Sequence, residues 1–353
     1  DTVNINGKIN SLMVRGTKEK PLLNKYRALI IAQPDSAFNE KDKYFIDQFV
    51  MHGGRVLWLL DPVFANMDSL QRTNQTIGIA IDRNLDDMLF NYGVRINTNL
   101  LLDMNALPIP AVTGQYGGQP KVELLPWYYF PVIIPSSKHP IVSNLNAIKM
   151  EFVSTIDTVG GKGIKKTVLL SSSKYSNVVN TPARISLDLL QSVPDERRYN
   201  KSNLSVAVLL EGSFKSVYLN RISPELVSDV ASFDYKEKSP ETKMIVVSDG
   251  DVIKNQVDKK TKNPYPLGYD QYTGETFGNK EFIMNCVDYL CDDSGIISVR
   301  SREVKMRLLD PKKINNSGTK LSMQLINTVG PVLLVLLFGL IQLIVRKFRY
   351  TKN

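Results

Sequence analysis

Histidine and cysteine are almost missing from this chain of 353 residues: there are two of each, His52 and His139, Cys286 and Cys291. That supply excludes the repeated Cys/His sets of structural zinc sites. The cysteines stand five residues apart, neither a CxxC pair nor, at about 3.6 residues per turn, on one face of a helix; they read as half-buried free thiols. Several motifs are also missing. There is no G-x-S-x-G elbow to give either histidine a nucleophile, no G-x-G-x-x-G, no H-E-x-x-H and no G-x-x-x-x-G-K-[ST] phosphate loop. The nearest decoy, GGKGIKKT at 160–167, has the wrong spacing and precedes a strand, so it reads as a hairpin or surface turn. No cofactor is expected, and any ATPase must come from a partner. The net charge is +9, yet the Lys and Arg are scattered with no basic stripe or interleaved aromatics, which argues against nucleic acid. There is no internal repeat.

What is present is ordinary globular composition, 43% hydrophobic and 22% charged, over a length that fills one large or two ordinary domains. One segment departs from it. From Leu325 to Val345 the chain is almost wholly apolar, with Gln342 near one end and Pro331 in the first turns. About 20 such residues cross a bilayer. Arg346, Lys347, Arg349 and Lys352 follow directly and suit a cytoplasmic side, although Lys312, Lys313 and Lys320 flank the other end.

Upstream, buried strands alternate with helices. RALIIAQP (27–34) reads as a strand; Asn39 caps a helix with Phe45, Ile46, Phe49 and Val50 on one face; RVLWLLDP (55–62) is the next strand. The intervening HGG suggests an oxyanion loop, but without a serine elbow His52 is the last turn of the helix, with Gly53 and Gly54 its stop. Strand, helix, strand is a βαβ rhythm, so we expect an α/β fold with a mostly parallel sheet flanked by helices. LDDMLFNYG and GNKEFIMNCVDYL read as further helices, and TVLLSSS, SVAVLLEG and KMIVVSDGDVI as strands. Seven prolines between Pro108 and Pro140 mark an insertion of loops and edge strands.

The expected layout is therefore 1–24 as the tail of a missing upstream region and 25–300 as the α/β domain, with the Pro-rich insertion at about 105–165. A juxtamembrane linker at 301–323, a transmembrane helix at 324–346 and a basic cytoplasmic tail at 347–353 complete it. In open α/β sheets ligands lie at the carboxyl ends of strands, and Asp61, Asp103, Asp249 and Asp251 sit at such ends. Clustered, they form a candidate rim for a ligand, a partner or a metal. The plainer alternative is that each shapes a turn.

Four blocks, HPIVSNLNAIKMEFVSTIDT (139–158), LLEGSFKSVYLNRI (209–222), IVVSDGDVIKNQV (245–257) and GNKEFIMNCVDYLCDDSGIISVRSREV (278–304), resemble the GldG family of Bacteroidetes. These are auxiliary, substrate-binding-like proteins of gliding-motility ABC transporters, with a domain similar to GIFT domains and distantly to class I amidotransferases. The resemblance implies a periplasmic α/β domain anchored in the inner membrane, a GldF-like permease and a GldA-like ATPase as partners, and a need in gliding. It also implies an upstream transmembrane helix and further periplasmic sequence, of which residues 1–24 are expected to be the tail. Amidotransferases place a cysteine at a strand–helix elbow; here both cysteines lie on one late helix, which argues for a non-enzymatic accessory subunit with no catalytic residues. The rival is a membrane-tethered, metal-dependent hydrolase using the strand-end aspartates.

Overall fold

A computed structural model describes residues 22–161, 163–190, 194–220, 235–258, 260–293 and 317–350. The expected tail at 1–24 lies outside these except for its last residues, as does most of the expected linker. Contacts divide the chain into two units, Asp1–Arg302 and Glu303–Asn353.

The first unit is built on a five-stranded sheet in the order β1 (Ala28–Ala32), β2 (Arg55–Leu59), β15 (Thr242–Val247), β14 (Ser205–Gly212), β11 (Lys165–Ser171). Helix α1 (Glu40–Met51) carries the chain from β1 to β2, which pair in parallel, Ala28 with Arg55 through Ala32 with Leu59. β15 lies parallel to β2, with Val247 opposite Leu59. β14 then pairs antiparallel with β15, and β11 antiparallel with β14. The expectation of a mostly parallel sheet is thus corrected: the fold is mixed α/β, and its four smaller sheets all pair antiparallel. A fully buried apolar run such as VAVLL looks the same in either direction, so direction was not in the periodicity.

Alternation along the strands fills both faces of the sheet. Val56, Trp58, Met244 and Val246 pack with Phe45 and Phe49 of α1 and with Met88 and Tyr92 of α3 (Asp86–Tyr92). Leu57, Leu59, Ile245 and Val247 pack with Phe282, Cys286 and Leu290 of α4 (Asn279–Cys291). The glycines after α1 stop it as expected. Gly53 sits at φ +90°, and a Cβ on Gly54 would come within 2.5 Å of the Phe49 ring. α1 is more enclosed than its one apolar face suggests, for every residue from Asp42 to Met51 is buried. Two of its buried charges are partnered: Lys43 Nζ lies 2.8 Å from Asp87, and the Asp47 carboxylate accepts from Tyr92, Ser216, Gln48 and the Val217 amide.

The proline-rich stretch is a long antiparallel hairpin, β7 (Ala106–Tyr116) with β8 (Gln119–Ile133). Only Val132 and Ile133 reach a third strand, β9 (Ile148–Lys149), so most of its length is a two-stranded ribbon whose outer edges need no proline N–H. Its base, with Trp127, Tyr129 and Phe130, joins a third apolar cluster. That cluster draws on β3 (Val63–Phe64), β4 (Gln75–Ala80), β6 (Asn99–Asp103) and β13 (Ala183–Ser186). Gly160 and Gly161, with positive φ, turn the chain between β10 (Ile156–Thr158) and β11, and the last residues of GGKGIKKT, from Lys165, already belong to β11.

Among the described residues of the second unit lies a helix, α5 (Ser317–Tyr350), long and apolar enough over Leu325–Tyr350 to cross a membrane. Its large apolar side chains, Leu334 and Val335 among them, are exposed.

Candidate functional site: an acidic rim over a cleft

Parallel pairing of β1, β2 and β15 brings their carboxyl ends to one edge. Gln33 follows β1 and donates its amide to the Leu59 carbonyl (2.9 Å); the Leu60 amide donates to Val247 (3.0 Å). Asp61 and Asp249 each lie two residues past paired positions. A ladder of contacts then ties the rim. The Gly250 amide donates to Asp61 at 2.6 Å, and Gln33 Nε2 donates to both Asp61 (3.0 Å) and Asp251 (2.8 Å). A side chain at 250 would crowd the rim: a Cβ there would stand 2.7 Å from an Asp61 oxygen and 2.9 Å from the Gln33 side chain.

Asp249 is the floor of the rim, with no exposure. One oxygen accepts from the Asp251 amide (2.7 Å), the other from the Glu151 amide (2.9 Å). Burial, reinforced by the charges of Asp61 and Asp251, pushes its carboxyl well above the usual carboxylate range; burial likewise raises Asp61. Asp251 also pairs with Lys254 at 2.9 Å. Asp103 is not brought to this rim. It is buried beside β12 (Ser176–Asn180), accepting from the Asn105 and Ser173 amides at 2.9 and 2.7 Å. There it shapes a turn, as Asp249 does through its bond two residues on.

Below the rim opens a cleft of about 890 Å³. Asp61, Asp251, Glu151, Arg83 and Lys254 give its polar side; Val63, Ile81, Ile109, Phe130 and Phe152 give an apolar one. Phe152 holds a left-handed backbone (φ +51°), uncommon for a bulky residue, and its ring meets Phe130 edge-on at 5.1 Å. Glu151 beside it is raised to about 7, by burial first and then by the Asp251 charge. Neither histidine lines the cleft. Among the described residues no group of three His, Cys, Asp or Glu is placed to hold a metal.

Sequence reasoning missed Gln33, Arg83 and Glu151. Gln33 was within reach, since it follows β1 as Asp61 follows β2. Arg83 and Glu151 come from loops with no periodic signal.

Residues 8–286 match a family described as an ABC-type uncharacterized transport system, of the auxiliary class. The chain belongs to this ABC-transport auxiliary family. Within it, the matched region takes in the whole five-stranded sheet, the acidic rim and most of α4. The auxiliary protein is also similar to an uncharacterized protein of Borreliella burgdorferi, 22% identical over 309 residues, covering 84% of this chain and 52% of that protein; it spans about half the length of that relative. Among solved structures, the mmIFT52 N-terminal domain aligns over 82% of this chain and 92% of its own, at 13% identity and a TM-score of 0.38, too low for a shared fold to follow.

Proposed function

We propose that the protein is a non-enzymatic, membrane-anchored accessory subunit of an ABC transporter of the GldG type, acting in gliding motility beside a GldF-like permease and a GldA-like ATPase. Membership of the auxiliary family is the observation that carries this reading. The exposed apolar helix α5 supports an anchor, and the basic residues after Val345 support an orientation with the α/β unit in the periplasm. The Asp61 rim is the surface offered to a ligand or partner. A hydrolytic role is disfavoured by how the carboxylates are used: both oxygens of Asp249 are held by backbone amides, and Asp61 and Asp251 by Gly250, Gln33 and Lys254.

The rim is tested by Asp61→Arg. Asp249 is unsuited, because a buried arginine there would unfold the sheet edge. We expect Asp61→Arg to accumulate and insert in the membrane while losing the permease in pull-downs and abolishing gliding. Full gliding with an intact complex would remove the rim from the function.

A further inference from the structure

Two groups of opposite charge in the cleft make no side-chain hydrogen bond or ion pair among the described residues. The Nε of Arg83 is buried with no acceptor, although Asp61 and Asp35 supply negative charge nearby. The side chain as a whole is half-buried and lines the cleft, where a guanidinium outside any ion pair gains from an acceptor that a ligand brings. The Glu151 carboxylate makes no hydrogen bond or ion pair among the described residues. Around it, Asp251 and Asp270 oppose its charge, while Lys149 and Lys254 favour it. Lys254 is already tied to Asp251, and Lys149 reaches the Tyr269 carbonyl.

Among the described residues the lining carries five carboxylates, Asp35, Asp61, Asp68, Glu151 and Asp251, against two cations, Arg83 and Lys254. This is a local excess of negative charge on a chain of net +9, and a cleft focuses it. It favours a cationic group at the Glu151 side, while Arg83, with the charges of Asp61 and Asp35 near it, forms no ion pair within the described lining. The buried rings of Phe130 and Phe152 offer an apolar surface between polar walls. The volume, about 890 Å³, is in the range of pockets that enclose drug-sized ligands, roughly 300–1,000 Å³; one amino acid would leave much of it empty.

We propose that this cleft binds a short peptide with free termini, its ammonium at Glu151, its carboxylate at Arg83 and an apolar side chain against Phe130 and Phe152. The inference rests on the rim being a ligand or partner surface, and narrows it. It is tested with the full chain in detergent micelles at pH 8, by calorimetric titration with the tripeptide Leu-Phe-Leu, its N-acetyl form and its C-terminal amide. The free peptide binds saturably, and each blocked form binds about tenfold or more weakly, having lost one charge-assisted contact. Glu151→Gln brings the free peptide down to the acetylated level without changing the acetylated one, and Arg83→Met does the same for the amide. Should Arg83→Met fail to fold, discrimination between acid and amide by the unaltered chain still decides. No saturable binding, or equal binding of all three forms, overturns the proposal. Sensitivity to one end only also overturns it, and points instead to the terminus of a partner protein. A chain that binds no tripeptide yet loses the permease on Asp61→Arg keeps the rim and removes the peptide; the converse result does the opposite.

Discussion

At the scale of single residues, Gly250 and Glu151 are the most exacting positions. Gly250→Ala puts a methyl where Asp61 and Gln33 now stand. It should destabilise the first unit by about 1–3 kcal/mol, read from denaturant unfolding. Glu151 makes a prediction with a definite sign. Its carboxyl lies at about 7 in the fold against an ordinary 4.5. Between those values the folded chain keeps a proton that the unfolded chain has released, so this group's contribution to stability falls as pH rises through that window. Glu151→Gln should therefore match the unaltered chain in Tm at pH 4 and exceed it by about 3 °C or more at pH 8. Thermal melts at the two pH values check it, and an equal Tm at both would contradict it. The strand-end aspartates were legible as residues because a buried run closed by Asp needs little context. Their division into a rim (Asp61, Asp249, Asp251) and a separate turn (Asp103) was not, since it depends on which strands are neighbours.

At the scale of elements, the helices before Gly53 and Gly93, the late helix α4 and the apolar helix α5 were legible, while α2 (Met67–Thr73) and the strand directions were not. Asn39 before α1 and the glycines after α1 and α3 act locally, through capping bonds and left-handed backbone, and local chemistry is what a sequence displays. The antiparallel return of β14 and the proline hairpin depend on pairing between distant segments, and the residue pattern permits both directions. The enclosure of α1 was hidden for a similar reason: Asp47 looks like a solvated helix charge until Tyr92, Ser216 and the Val217 amide arrive from elsewhere. Asp47→Ala leaves these donors buried and unsatisfied. It should cost about 2–4 kcal/mol, and a denaturant midpoint unchanged from the unaltered chain would show that the network does not hold α1 in place.

At the scale of the whole molecule, the account joins an α/β unit with an acidic rim to an apolar helix, in a family of ABC-transport auxiliary proteins. From Leu325 to Val345 the helix spans about 31 Å at ~1.5 Å per residue, close to a bilayer's hydrocarbon thickness of ~30 Å. Protease added to spheroplasts should digest the α/β unit and spare the basic tail; a protected α/β unit would reverse the proposed orientation. The central claim, however, is membership of a transporter complex. Its most direct measurement is affinity purification of the chain from native membranes in mild detergent, followed by identification of what comes with it. The account predicts that an ABC permease and its ATPase co-purify in fixed proportion to the chain. Recovery of the intact, membrane-inserted chain with neither of them would contradict it.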